Sequence, residues 1–248
     1  MKIVNLTDIH LTRNRDKKLF DVNPYDNFDF VCEEIRRIQN LTEIELITVS
    51  GDIANDGDVD AYRYFLNKMD SLKTPYISIL GNHDLNKNFE ITLAEEKPKY
   101  IITSREYNNN DDWYITSIDT VVEGEDYGFI TQDNLAELER KIITNSNFNI
   151  AIFMHHHAMP VGTPIVDSCM LNNAKAVLEL CEKHKVKFIG SGHAHTPRVW
   201  HHNNMTACVS PAVSFQWLSG TDTVKISKGF GFNVIDFAPD LSITSCIY

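Results

Sequence analysis

A chain of 248 residues, 43% of them hydrophobic and 23% charged, can bury a self-sufficient core and is neither disordered nor fibrous in composition. Its formal net charge of −11, with no long basic stripe, argues against duplex nucleic acid as a partner, although bound cations can reverse the field locally. Five scattered cysteines (Cys32, Cys169, Cys181, Cys208, Cys246) without a C-x-x-C pair argue against a disulfide framework or a cysteine zinc site and leave reduced thiols in or near the core.

Taken in chain order, short β-branched runs recur, and each ends in a polar loop. Lys2 to Leu6 meets Thr7-Asp8-Ile9-His10 almost at once, so the expectation is a soluble, cytoplasmic chain without a signal peptide. Leu46 to Val49 leads into Ser50-Gly51-Asp52, and Tyr76 to Leu80 into Gly81-Asn82-His83-Asp84. Ile150 to Met154 leads into His155-His156-His157, and Val186 to Ile189 into Gly192-His193-Ala194-His195. Runs of this length read as buried strands and are far too short to cross a bilayer. Between them, apolar residues recur at helical steps: Phe28, Val31, Cys32, Ile35, Ile38; then Tyr62, Phe65, Leu66, Met69; then Leu135, Leu138, Ile142; then Ala176, Val177, Leu180, Cys181. The alternation predicts an α/β fold with helices outside the sheets and the polar loops at the carboxyl ends of the strands. The tail changes character. Arg198 to Trp200, Met205 to Val209 and Phe230 to Phe237 read as strands, with a turn-rich Ser219 to Lys228 between the last two, and 197–248 is expected to complete one domain spanning 1–248.

The strand-end residues form a constellation: Asp and His, Asp, Asn and His, His, then His-x-His. Carboxylates with neutral imidazoles suit Zn, Mn, Fe or Ni rather than Ca or Mg alone. The set is too large for one ion and suits two that share a carboxylate, which at about 3.5–4 Å apart can clamp a phosphate and activate water. Each fragment alone has a bland reading: a turn at Gly51-Asp52, a helix cap at Asn82-His83-Asp84, a strand surface at His193-Ala194-His195. Together, in order and all at strand ends, they point to one site.

The series D-x-H, G-D, G-N-H-D, H and G-H-x-H resembles the calcineurin-like metallophosphoesterase signature from Asp8 to His195, with every position filled. The resemblance implies a four-layer αββα sandwich of two mixed β-sheets flanked by helices. It implies one metal held by Asp8, His10, Asp52 and His195 and a second by Asp52, Asn82, His155 and His193, with Asp52 bridging. The ions would be two divalent or trivalent transition metals (Mn, Fe or Zn). His83 would face substrate as a catalytic residue beside Asn82, with Asp84 orienting it. The intervening segments Lys18 to Tyr25, Gly51 to Gly57 with Ala61-Tyr62, Asp167 to Asn173 and Ser210 to Gln216 are similar to class III cyclic-nucleotide phosphodiesterases. The implied activity is hydrolysis of small phosphodiesters, of cyclic-nucleotide or glycerophosphodiester type, by a metal-bridged hydroxide. A phosphomonoesterase or nucleotide pyrophosphatase on the same cage is the alternative, a non-catalytic binding scaffold a remoter one, and a homodimer is open by analogy.

Two stretches depart from the family pattern. Proline is displaced in His155-His156-His157-Ala158-Met159-Pro160, so His155 is assigned as ligand because it directly follows the strand, with His156 as the alternative. The 97–112 segment, which ends in Asn and Asp, reads as a variable loop. His184 reads as a surface residue, and His157 as packed or just outside the ligands. His201 and His202 either line the substrate mouth or are exposed strand residues. Phe215, Gln216 and Trp217 either stack on a base or belong to the core.

Overall fold

The computed structural model describes residues 1–108, 112–237 and 240–248, so Asn109 to Asp111, in the expected variable loop, lie outside the described residues. In chain order the elements are β1 (Lys2–Leu6), α1 (Pro24–Gln39), β2 (Leu46–Ser50), α2 (Val59–Asp70), β3 (Tyr76–Ile79), α3 (Asn86–Glu96), β4 (Glu106–Asn108) and β5 (Trp113–Ser117). They continue as α4 (Gln132–Thr144), β6 (Asn149–Phe153), α5 (Pro164–Asp167), α6 (Ala174–Lys183), β7 (Phe188–Ser191), β8 (Arg198–His202) and β9 (Met205–Val209). The last four are β10 (Gln216–Trp217), β11 (Ile226–Ser227), β12 (Gly231–Asp236) and β13 (Ser242–Ile247).

Local chemistry starts the helices where the periodicity begins. The Asn23 side chain accepts the Tyr25 N–H ahead of Pro24 at the first turn of α1, and Asp58 caps α2 through the Asp60 and Ala61 N–H groups. The buried stripe of α1 is Phe28, Val31, Cys32 and Ile35, and that of α2 is Tyr62, Phe65, Leu66 and Met69. Each such side chain contributes roughly 1.5–3 kcal/mol on burial, so the stripes hold the helices to the sheet.

Two mixed sheets result, with strand orders β13-β12-β1-β2-β3 and β4-β5-β6-β7-β9-β8, beside a short β10-β11 ribbon. In the first sheet β1, β2 and β3 run parallel, and β12 and β13 are antiparallel additions from the tail. Strand alternation splits the apolar residues into layers. Val4, Leu6, Ile47 and Val49 meet α1 and α2, whereas Ile3 and Leu46 face Ala151, Phe153 and Phe188 of the second sheet. On the far side Ile150, Ile152 and Ile189 pack against Leu138, Ile142, Val177 and Cys181 of α4 and α6. These three apolar clusters are the interfaces of an αββα sandwich. All described cysteines are free thiols, and Cys32, Cys181 and Cys208 are buried in it.

The structure shifts some expected boundaries. β7 begins at Phe188 rather than Val186, because the Val186 N–H bonds back to the Cys181 carbonyl and closes the end of α6. Helix α3 has no side-chain cap and buries only Phe89 and Thr92, too narrow a stripe to register as periodicity. Part of the turn-rich Ser219 to Lys228 stretch pairs as β11 with β10. No helix among the described residues is long and apolar enough to cross a membrane.

Candidate metal centre

The five motif loops meet because the backbone joins them. Loop β1–α1 zips onto loop β2–α2: the N–H groups of Asp8, Ile9, His10 and Leu11 donate to the carbonyls of Gly51, Asp52, Asp52 and Ile53 at 2.8–3.0 Å. The His193 N–H donates to the Asp8 carboxylate at 3.0 Å, which ties the β7–β8 loop of the second sheet to β1 of the first. The Ser214 hydroxyl donates to the Asp8 carbonyl at 2.7 Å, and the Trp217 N–H to the His195 carbonyl at 2.9 Å. Glycines are needed where loops touch. A Cβ on Gly81 would sit 2.1 Å from Asp52 Oδ1, and one on Gly192 would sit 1.7 Å from Thr7 Oγ1.

Asp8, His10, Asp52, His193 and His195 all adopt left-handed backbone, with φ of 54°, 53°, 53°, 66° and 44°. For non-glycine residues this conformation is uncommon and costs about 1–3 kcal/mol each, and it gathers where function over-determines the fold. Here it turns side chains of successive loops toward one point.

Asp8, His10, Asp52, Asn82, His155, His193 and His195 come together there. The two oxygens of Asp52 face opposite ways: Oδ2 lies 3.5 Å from His10 Nε2, and Oδ1 lies 3.4 Å from His155 Nε2. On the His10 side, His195 Nε2 is 3.1 Å from His10 Nε2 and 3.5 Å from Asp8 Oδ1. On the His155 side, Asn82 Oδ1 is 3.0 Å from both His155 Nε2 and His193 Nδ1.

Tautomers follow from the outer partners. His155 Nδ1 donates to the Ser50 carbonyl and His195 Nδ1 to the Phe215 carbonyl, each at 2.7 Å, since a carbonyl can only accept. The Nε2 atoms therefore point lone pairs inward. That of His155 faces two oxygens which also carry lone pairs. Such an arrangement calls for positive charge between the groups, and imidazole nitrogen with carboxylate and amide oxygen is a donor set for a transition-metal ion. The buried, unpartnered His10 Nδ1 and His193 Nε2, seen among the described residues, show how little protein is left to compete for these rings. The residues fit a metal pair.

The electrostatics carry the same demand. Burial opposes the His155 imidazolium, yet the Asp52 and Asp8 carboxylates outweigh it and lift its pKa to about 9. Burial would raise the Asp52 carboxyl, but the facing His155, His83 and His10 hold it well below the usual carboxylate range. Burial dominates at Asp8, whose pKa rises, and at His10 and His193, which are driven well down toward neutral imidazole.

Several expectations meet the geometry here. His155 rather than His156 reaches Asp52 and Asn82. The His156 ring engages the Thr120 hydroxyl through Nδ1 at 2.8 Å, although the residue still clusters with His155 and His193. Asp84 is not the group that orients His83, which is a correction to the sequence reading. Its carboxylate accepts from the N–H groups of Ile53, Ala54 and Gly81 and from the Tyr62 hydroxyl, so it is spent in pinning two motif loops together. His83 is held instead by the Asn55 carbonyl, 2.9 Å from Nδ1, which leaves Nε2 free on an exposed ring. His201 and His202 lie on exposed β8, where they meet Thr206 and Glu182, and they do not line the cleft. His157 packs beside Asp167, 3.3 Å from its Oδ1, and His184 pairs with Glu139.

The centre opens into a cleft of about 520 Å³. One part of it presents His10, Asp52, Asn82, His83, His193 and His195, together with Asn55 and Asp126. The rest is apolar, formed by Leu19, Phe20, Phe215 and Trp217 with Ile165, Val166 and Cys169. No lysine or arginine is among the described residues that line it. Sequence reasoning missed Phe20, Asn55, Thr120 and Asp126 as parts of this site. Phe20 and Asn55 had a signal, inside the Lys18 to Tyr25 and Gly51 to Gly57 segments.

Residues 1–197 match the family model described as calcineurin-like phosphoesterase. The chain is 94% identical to a Xenorhabdus bovienii protein named a probable cyclic nucleotide phosphodiesterase, over 100% of both chains. It is 28% identical to the 3′,5′-cyclic adenosine monophosphate phosphodiesterase of Escherichia coli, covering 87% of this chain and 78% of that one. Among solved structures it is similar to a dimetal phosphatase from Danio rerio, with a TM-score of 0.73, 12% identity and coverage of 98% and 95%.

Proposed function

The chain belongs to the calcineurin-like phosphoesterase family, and from that premise we propose that it hydrolyses small, singly charged phosphodiesters, cyclic nucleotides first among them, at a two-metal site. The observation that carries the choice of diester is the lining of the cleft. With no lysine or arginine among the described residues that line it, and with Asp126 among them, every positive charge these offer to phosphate comes from bound cations and histidine. A diester brings one negative charge. A monoester or diphosphate brings more, and the cleft has nothing further to neutralise it. The names of the Xenorhabdus and Escherichia relatives support the cyclic-nucleotide reading.

Asp8, His10, Asp52 and His195 would hold one ion, and Asp52, Asn82, His155 and His193 the other, with Asp52 shared. When bound, the ions supply a Lewis-acid field that lowers the pKa of water and offsets the charge on phosphate. The protein's own groups do the rest. The Ser50 and Phe215 carbonyls fix the rings of His155 and His195, so their lone pairs need no reorganisation. His83, anchored at Nδ1 by the Asn55 carbonyl, turns Nε2 toward the cleft to donate to the leaving oxygen. The neighbouring Asp52 and the Asn55 carbonyl raise its pKa despite the opposing effect of partial burial.

Parallel turnover of bis-p-nitrophenyl phosphate and p-nitrophenyl phosphate tests the substrate class. The diester is expected to lead in kcat/KM by at least about tenfold, the equivalent of roughly 1.4 kcal/mol of unmatched charge. A faster monoester would replace this reading with the phosphomonoesterase one.

A further inference from the structure

Phe20 stands where its own backbone would rather not have it. Leu19 and Val22 exchange both backbone hydrogen bonds at 2.9 Å, so Phe20 and Asp21 are the two central residues of a tight hairpin turn, with φ of 50° and 64°. A turn with two positive φ values favours asparagine, aspartate or glycine, and a bulky aromatic at its first centre is a strained choice. The ring does not recover that strain by burial, since it stays 48% exposed. It projects over the cleft and meets Phe215 edge-on at 5.1 Å and Trp217 at 5.9 Å between centroids. Phe215 in turn lies 4.8 Å from the ring of His195, so the aromatic group adjoins the metal-binding residues directly. Ile165, Val166 and Cys169 supply the other apolar lining.

We propose that Phe20, Phe215 and Trp217 form a subsite for a planar aromatic group carried by the substrate, and that Phe20 is its specificity-determining residue. The inference rests on the phosphodiesterase reading and deepens it. Aromatic rings beside aliphatic side chains suit a flat, weakly hydrated ring. They do not suit the glycerol of a glycerophosphodiester, whose hydroxyls would lose their hydration against them. Backbone strain held at an exposed ring is an arrangement met where a ligand is clamped. The shared chemistry is a planar ring, which either a nucleobase or an aryl ester can supply.

Phe20→Asn makes the turn easier, so the variant is expected to fold with a Tm at or above that of the parent. The metal-loaded parent and variant are compared on 3′,5′-cyclic AMP, on bis-p-nitrophenyl phosphate and on glycerophosphoglycerol. The preference of the parent for cyclic AMP over glycerophosphoglycerol, as a ratio of kcat/KM, is expected to fall about tenfold in Phe20→Asn, the size of one lost base–aromatic stack. A matching fall for the aryl diester marks any flat ring as sufficient, and retention of that rate marks the subsite as one for a nucleobase. Adenosine, which has no phosphate, gives a readout independent of turnover. It should quench Trp217 fluorescence in the parent and do so at about tenfold higher concentration in the variant. If the parent hydrolyses none of the diesters yet adenosine still quenches, the diesterase reading fails and the subsite stands. An unchanged ratio with unchanged quenching, or a Tm loss of several degrees with the ratio intact, overturns the subsite and makes Phe20 a structural residue.

Discussion

Asp52→Asn is expected to bind fewer than two equivalents of metal and to lose activity by roughly 10³-fold or more, while its apoprotein melts within a few degrees of the parent. Both oxygens of Asp52 are committed in opposite directions, to the side of His10 and to the side of His155. An amide keeps the shape but is neutral and presents one oxygen and one N–H. The retained oxygen can still accept the His83 N–H, which Oδ1 now does at 3.0 Å, so the loop survives. What goes is the shared anion between two sets of neutral imidazoles, and with it several kcal/mol of charge stabilisation, each 1.36 kcal/mol being tenfold in rate. Metal content by elemental analysis and melting of metal-free protein are the measurements. An Asp52→Asn protein that keeps two equivalents and most of its turnover would remove Asp52 from the bridge.

His83→Ala should behave differently: both metals stay, and kcat falls by roughly 10²–10⁴-fold on a cyclic nucleotide, whose leaving alkoxide needs a proton. The loss should shrink on bis-p-nitrophenyl phosphate, because nitrophenolate departs without one. His83 lies close enough to His10 and Asp52 to be considered a ligand, so metal content separates the two roles. Equal losses on both substrates with full metal would mean that His83 positions substrate rather than protonates it. Loss of a metal equivalent would make it a ligand.

The side chains that converge at the candidate metal centre could be read from the sequence because metal chemistry restricts residue type. Asp8, His10, Asp52, Asn82, His155, His193 and His195 are all of donor type and each lies in a loop that follows a strand, so their convergence was visible as a pattern. The groups that orient them were not visible, because many act through the backbone. Ser50, Asn55 and Phe215 contribute a carbonyl, which every residue type possesses, so no side-chain signature marks them. Asp84 misled for the opposite reason. Its position beside His83 suggested a partner, whereas its buried carboxylate answers backbone N–H groups from a loop about thirty residues away in sequence. Phe20 needed the turn geometry, since only a positive φ shows that a phenylalanine there is out of place. In the fold, the short buried strands ahead of the motif loops and the striped helices between them were legible. Helix α3, with little buried surface, and β13, a mostly exposed edge strand, were not.

The most direct test of the shared-bridge arrangement is anomalous diffraction at the metal edge from crystals of the manganese-reconstituted protein. Two peaks flanking Asp52 are predicted, one against Asp8, His10 and His195 and the other against Asn82, His155 and His193. A single peak, or a pair seated away from Asp52, would contradict it.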